Sequence, residues 1–164
     1  MSNDATFGLP TFNSDVERNL GISDDKKAFT VTFNGLGVSL AAKGSAPIVT
    51  RAFSFALSLS GCEPGVEIPF NIAGFVGGEK GANAHLLFSV NDQSIVVDFP
   101  PNSDNDYVQQ LNYKVGNAAE LRISIFLLAD RDSKSSAAVS LDVLAIDTDL
   151  TKATTPSSAP TAVA

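Results

Sequence analysis

Asn102, Asp104 and Asp106 alternate through the loop "PPNSDND", the spacing of the first oxygen ligands in a calcium loop. The glycine that should follow is Tyr107, and the closing glutamate position holds Tyr113, so the pattern departs from an EF-hand. Asp130 and Asp132 form a second oxygen pair in another loop, and loops at one end of a β-sandwich converge. Together these five residues make one candidate calcium site. The competing reading is that Asp and Asn stand there because they make turns. No other cofactor is indicated.

The remaining chemistry is sparse. A hydrolase triad or zinc site normally needs histidine, and the chain has only His85. It is out of phase with Leu86 and Phe88, so it projects from the outer side of a strand together with Leu87. Cys62 follows Gly61 in a turn and precedes Glu63, whose charge opposes thiolate formation. "GFVGGEKG" lacks the G-K-[ST] ending and the following helix of a phosphate loop. The acidic residues lie mostly in turns without the aromatic frame that holds a sugar for hydrolysis. The expectation is a protein that is not an enzyme. Sugar binding by a sandwich usually rests on flat aromatic platforms, and with no Trp the candidates are Tyr107 and Tyr113. Both share a phase with Leu111 and Val115 and should face inward.

The 164 residues suit one domain, long enough to bury a core without disulfides, which a single cysteine cannot make. A net charge of −7, with eleven basic residues scattered apart from Lys26-Lys27, argues against nucleic acid as a partner. No apolar run approaches a membrane span, and the first ten residues have no Sec signal pattern. The expectation is a soluble, acidic protein made in the cytoplasm, with signal-independent export or incorporation into an extracellular assembly left open.

Strands must position whatever site exists. In "RAFSFALSLSG", Phe53, Phe55, Leu57 and Leu59 alternate with small residues, the pattern of a half-buried strand. "FTVTFNGLGVSL" reads as a hairpin reversing at Asn34-Gly35, with Phe33 opposite Leu36, Val31 opposite Val38 and Phe29 opposite Leu40. "AHLLFSVNDQSIVVDF" reads as a second, turning at Asn91-Asp92 and pairing Val90 with Gln93, Phe88 with Ile95 and Leu86 with Val97. Pro69 cannot donate a ladder hydrogen bond, so its strand should lie at an edge or contain a bulge. Short strands punctuated by turns imply an all-β fold: an antiparallel β-sandwich, jelly-roll or Ig-like, of about eight to nine strands.

Residues 28–150 form this body. Residues 151–164, rich in Thr, Ser, Pro and Ala, form a flexible low-complexity tail. Residues 1–27 form an N-terminal arm with one modest helix signal: Ser14 and Glu17 at capping-box spacing, then Val16, Leu20 and Gly21. Phe7, Leu9 and Phe12 are its apolar anchors. An apolar arm beside open sheet edges predicts a structural, self-assembling subunit. Its partner would be itself, as a filament, shell or closed homo-oligomer, with the arm making intersubunit contacts. The alternative is a monomeric ligand-binding sandwich module, with or without calcium, acting on glycans or another surface.

Overall fold

The computed structural model describes residues 4–12, 16–42, 47–132 and 134–155. Among the described residues twelve strands occur, in chain order: β1 (Thr6–Phe7), β2 (Thr11–Phe12), β3 (Glu17–Ile22), β4 (Ala28–Asn34), β5 (Gly37–Leu40), β6 (Ile48–Ser60), β7 (Glu67–Gly78), β8 (Ala82–Val90), β9 (Gln93–Phe99), β10 (Asp104–Lys114), β11 (Glu120–Arg131) and β12 (Val139–Asp149). They make two antiparallel sheets of six strands. The first runs β1-β6-β11-β8-β9, with β2 also on β6; the second runs β10-β7-β12-β4-β3, with β5 also on β12. Phe55, Leu86, Phe88 and Ile123 of the first sheet are fully buried, as are Val31, Phe70, Ile72 and Leu141 of the second. Alternation puts these side chains on the inner faces, which is the sandwich the periodicity predicts.

The first predicted hairpin does not form. β4 and β5 both pair with β12, end to end along its edge, at Ala145↔Thr32 and at Asp142↔Gly37. From residue 142 to 145 β12 advances three positions, while its partner covers five, from 32 to 37. Asn34-Gly35 is therefore a bulge within one edge and not a reversal, held by Val143 N–H donating to the Leu36 carbonyl at 2.9 Å. The facial assignment survives: Phe29, Val31, Phe33, Leu36, Val38 and Leu40 are all buried. Gly35 sits at φ +86° with open space around its missing Cβ, so backbone conformation alone selects glycine. Gly35→Val is expected to destabilise by roughly 1–3 kcal/mol. An unchanged urea midpoint would show that the bulge does not require that conformation.

The second hairpin forms in the expected register, with Val90↔Gln93, Phe88↔Ile95 and Leu86↔Val97, and Asn91 takes positive φ in the turn. Of the two expectations for Pro69, the edge position is excluded, because β7 lies between β10 and β12 and carries the proline without being an edge strand. The missing N–H falls where the neighbouring ladder is interrupted. β12 pairs with β7 as far as Thr148↔Phe70, and the chain rejoins β7 only at Thr154↔Glu67. In the gap, the Thr148 hydroxyl donates to the Pro69 carbonyl at 2.8 Å.

The anchors of the N-terminal segment are used within its own chain. β1 and β2 lie along β6, at Phe7↔Leu59 and Phe12↔Phe55, and β3 pairs with β4 from Glu17↔Asn34 to Ile22↔Phe29. The helix signal after Ser14 is thus overridden by strand pairing at residue 17, while Ser14 itself lies outside the described residues. Phe7 is buried edge-to-face on Phe29 at 5.1 Å, and Phe12 packs on Phe55 at 5.1 Å. Leu9 is 79% exposed, at the break between β1 and β2, and anchors nothing here.

Candidate functional site

The outer face of the first sheet carries an ordered pattern that no single strand displays. Cross-strand register aligns Ala52 of β6 with Phe126 of β11, Leu87 of β8 and Val96 of β9, giving an apolar row across four strands. Two residues along each strand, the register aligns Ser54, Ser124, Ser89 and Ser94 into a row of four hydroxyls. The rows lie about 7 Å apart, two strand residues, and neighbours within a row about 4.8 Å apart. These residues point outward because their neighbours Phe53, Phe55, Ile125, Leu86 and Phe88 fill the core. Small Ala52, Ser54, Ser89 and Ser124 flank the larger Phe126 and Leu87, leaving a shallow depression of about 300 Å³. Phe126, Leu87 and Val96 remain 38%, 36% and 66% exposed.

A charged flank borders the apolar row. His85 does project outward beside Leu87, as its phase predicts. Its Nδ1 lies 2.7 Å from Asp98 Oδ1 and its Nε2 3.3 Å from Asp130 Oδ2, and Asn83 Nδ2 donates to Asp130 Oδ1 at 2.9 Å. Both imidazole nitrogens face carboxylates, so neither is turned outward to act as a base toward a ligand on the rows. Reading residues singly missed this group, since His85, Asp98 and Asp130 come from three strands. The other side of the serine row is bordered by Arg122, with Glu120 4.0 Å away.

The five calcium candidates are divided between opposite faces. Asp104 and Asp106 begin β10 on the outer side of the second sheet, opposite Gly77 and Phe75, with Asn102 in the turn before them. Asp130 lies on the outer side of the first sheet, engaged by His85 and Asn83, and Asp132 accepts from the Lys134 N–H at 3.1 Å in the turn after β11. Among the described residues, no three His, Cys, Asp or Glu side chains gather in a way that could hold a metal ion. Cys62 is partly buried, and burial first and the Glu63 charge second push its thiol above the usual range. Tyr107 and Tyr113 are buried as expected. Tyr107 donates to the Asp142 carbonyl at 2.7 Å, and Tyr113 Oη accepts from Asn91 Nδ2 at 2.9 Å. Burial first, and then the Asp142 charge, raise the Tyr107 hydroxyl well above its ordinary value, which keeps it a neutral donor.

The second sheet has its own cleft, about 380 Å³, lined by Glu67, Pro69, Asn71, Gln110, Asn112, Lys152 and Thr154. Its amides are engaged with nearby side chains: Asn71 Nδ2 donates to Asp147 at 3.0 Å and Gln110 Nε2 to Asn112 at 2.6 Å. It is polar throughout except for Pro69, and it lacks the paired apolar and hydroxyl rows.

No protein-family model matches the chain, and no curated protein matches it. Among solved structures, it is similar to the enzymatically active domain of tailspike protein 4 of bacteriophage CBA120, at 15% identity and TM-score 0.31. That match covers 87% of this chain but only 19% of the tailspike chain. It is also similar to TmCBM61 in complex with β-1,4-galactotriose, at 14% identity and TM-score 0.34, covering 80% of this chain and 88% of that one. A third is the family 11 carbohydrate-binding module from Clostridium thermocellum in complex with a β-1,3-1,4-mixed-linked tetrasaccharide, at 12% identity and TM-score 0.25, covering 91% and 90%. Scores this low transfer neither a site nor an activity.

The expectation of a structural, self-assembling subunit is corrected. Phe7 and Phe12, the anchors meant for a neighbour, are packed in their own molecule, where β1 and β2 pair with the Phe55–Ser60 end of β6 and β3 pairs with β4. Among the described residues, no helix is long and apolar enough to cross a membrane.

Proposed function

We propose that this chain is a non-catalytic, glycan-binding β-sandwich module whose ligand lies on the outer face of β6, β11, β8 and β9. The observation that carries this is the apolar row Ala52–Phe126–Leu87–Val96 beside the hydroxyl row Ser54–Ser124–Ser89–Ser94. A pyranose ring has the matching anatomy, with C–H groups on its faces and hydroxyls at its edge. The Phe126 ring and the Leu87 side chain offer an apolar floor to the face. Serine hydroxyls both donate and accept, as sugar hydroxyls do, so one row serves many hydroxyl orientations. The floor is made of Phe and aliphatic groups instead of the Trp or Tyr platforms sought in the sequence, which implies modest affinity per sugar.

Affinity electrophoresis through gels containing neutral polysaccharides tests this directly. Retardation of the intact protein is expected, with Phe126→Ala weakening it roughly 2- to 12-fold, since an aromatic contact contributes about 0.5–1.5 kcal/mol. Phe126 points outward, so circular dichroism should show the variant folded. A folded wild-type protein that no polysaccharide retards, or retardation untouched by Phe126→Ala, would refute the assignment.

A further inference from the structure

Resting on that glycan-binding reading, we infer that the ligand is an extended, neutral, equatorially linked pyranose chain, of gluco or xylo configuration, crossing the four strands at right angles with about one ring per strand. The chemistry of the face is uniform across the strands and mixed along them. Along β11 the outward residues run Arg122, Ser124, Phe126, Leu128, and along β8 they run His85, Leu87, Ser89. A chain lying along either strand would meet an ionisable side chain, a hydroxyl and an apolar group under successive rings. A chain lying across the strands meets the same pair at each step: Ala52 with Ser54, Phe126 with Ser124, Leu87 with Ser89, Val96 with Ser94.

The spacing agrees. Neighbouring strands are about 4.8 Å apart, close to the length of one ring in a fully extended chain, so four strands present roughly 14 Å from first to last. Linkage through opposite (1,4) equatorial bonds keeps the chain straight, and equatorial hydroxyls keep both ring faces apolar, which a continuous apolar row requires. An axial hydroxyl puts a polar group on one ring face and a branch thickens the chain, and either breaks the contact where it faces Phe126 or Leu87.

Charge selects among such chains. Neither row carries a charge, whereas Asp98 and Asp130 stand on one flank around His85, and Arg122 is near Glu120 on the other. The whole chain has a net charge of −7. An anionic polysaccharide meets an acidic protein, and a cationic one finds its nearest carboxylates already engaged with His85. The rows fit a neutral ligand.

Isothermal titration calorimetry of the intact protein with cellobiose through cellohexaose tests the inference. Affinity is expected to rise with each ring up to about four and then level off. Ser54→Ala, Ser124→Ala, Ser89→Ala and Ser94→Ala, on four different strands, are each expected to weaken cellotetraose binding by roughly 2- to 10-fold, the loss of one hydrogen bond. Ser58→Ala, on β6 but off the rows, should leave binding unchanged. If Ser124→Ala and Arg122→Ala weaken binding while Ser54→Ala and Ser94→Ala are silent, the chain lies along β11; the inference is then wrong although glycan binding stands. Equal affinity for glucose and cellotetraose, or tighter binding to polygalacturonate or chitosan than to any neutral chain, would overturn it in the same limited way. A folded protein that binds no glycan of any kind overturns both it and the function on which it rests.

Discussion

Replacing Phe55 with alanine is expected to cost roughly 3–5 kcal/mol of stability, the sum of lost transfer energy and the cavity left behind. Phe55 has no exposed surface and joins two runs of rings. It meets Phe29 edge-to-face at 6.2 Å, and Phe29 in turn contacts Phe7 at 5.1 Å and Phe70 at 6.4 Å. On its other sides it touches Phe12 at 5.1 Å and Phe53 at 6.2 Å. Phe29 and Phe70 belong to the second sheet and Phe55, Phe53, Phe7 and Phe12 to the first, so the cluster fastens one sheet to the other. In a chain with eleven Phe and no Trp, the core achieves this with rings that have no polar atom to satisfy. The loss should appear as a lower urea midpoint with an unchanged slope. The matched substitution Ser58→Ala, on the outer face of the same strand, should shift stability by no more than about 0.5 kcal/mol. A near-neutral Phe55→Ala would mean the facing of β6, and with it both outer rows, has been misassigned.

Deleting residues 1–27 is expected to have the largest effect. A chain beginning at Ala28 should aggregate and fail to remain as a soluble body. The deletion removes Phe7 from Phe29 and Phe12 from Phe55, and it takes away Arg18, which stacks over the Phe12 ring at 4.0 Å. It also strips the six-residue ladder of β3 from β4, and β1 and β2 from β6, leaving two open edges that invite pairing between molecules. Loss of one buried Phe alone costs roughly 3–5 kcal/mol, against a total stability of about 5–15 kcal/mol for a typical domain. The point variant Phe7→Ala separates packing from edge exposure: it should lower the melting temperature while the protein stays soluble. A truncated chain that is soluble and melts with the full-length protein would show that the segment contributes nothing to its own fold.

Much of the body was legible because alternation is a local property. Phe53, Phe55, Leu57 and Leu59 had to share a face whatever lay opposite, since successive side chains on a strand point opposite ways. The turn at Asn91 was legible for a related reason: a two-residue loop between alternating strands leaves one register that keeps Phe88 and Ile95 together. Periodicity did not distinguish the bulge at Gly35 from a reversal. From Phe33 to Leu36 the phase changes by the same amount in a two-residue hairpin loop and in the observed bulge, so both geometries bury the same six residues. What separates them is the position of β12, more than a hundred residues later.

The apolar character of Phe7 and Phe12 likewise required burial without saying against which molecule. Only the open edges of β6 and β4, close to the start of the same chain, decided that. The outer face shows the division most plainly. In sequence, Ser54, Ser89, Ser94 and Ser124 are four separate serines, and Phe126, Leu87 and Val96 are three separate apolar residues. They become two rows only when the register of four strands, set by long-range pairing, brings them side by side. Local sequence determined which way each side chain points, because the backbone pleat enforces it residue by residue. Tertiary structure decided which side chains stand next to each other, because strand partners and register depend on segments distant in the chain, and a binding face is made of neighbours.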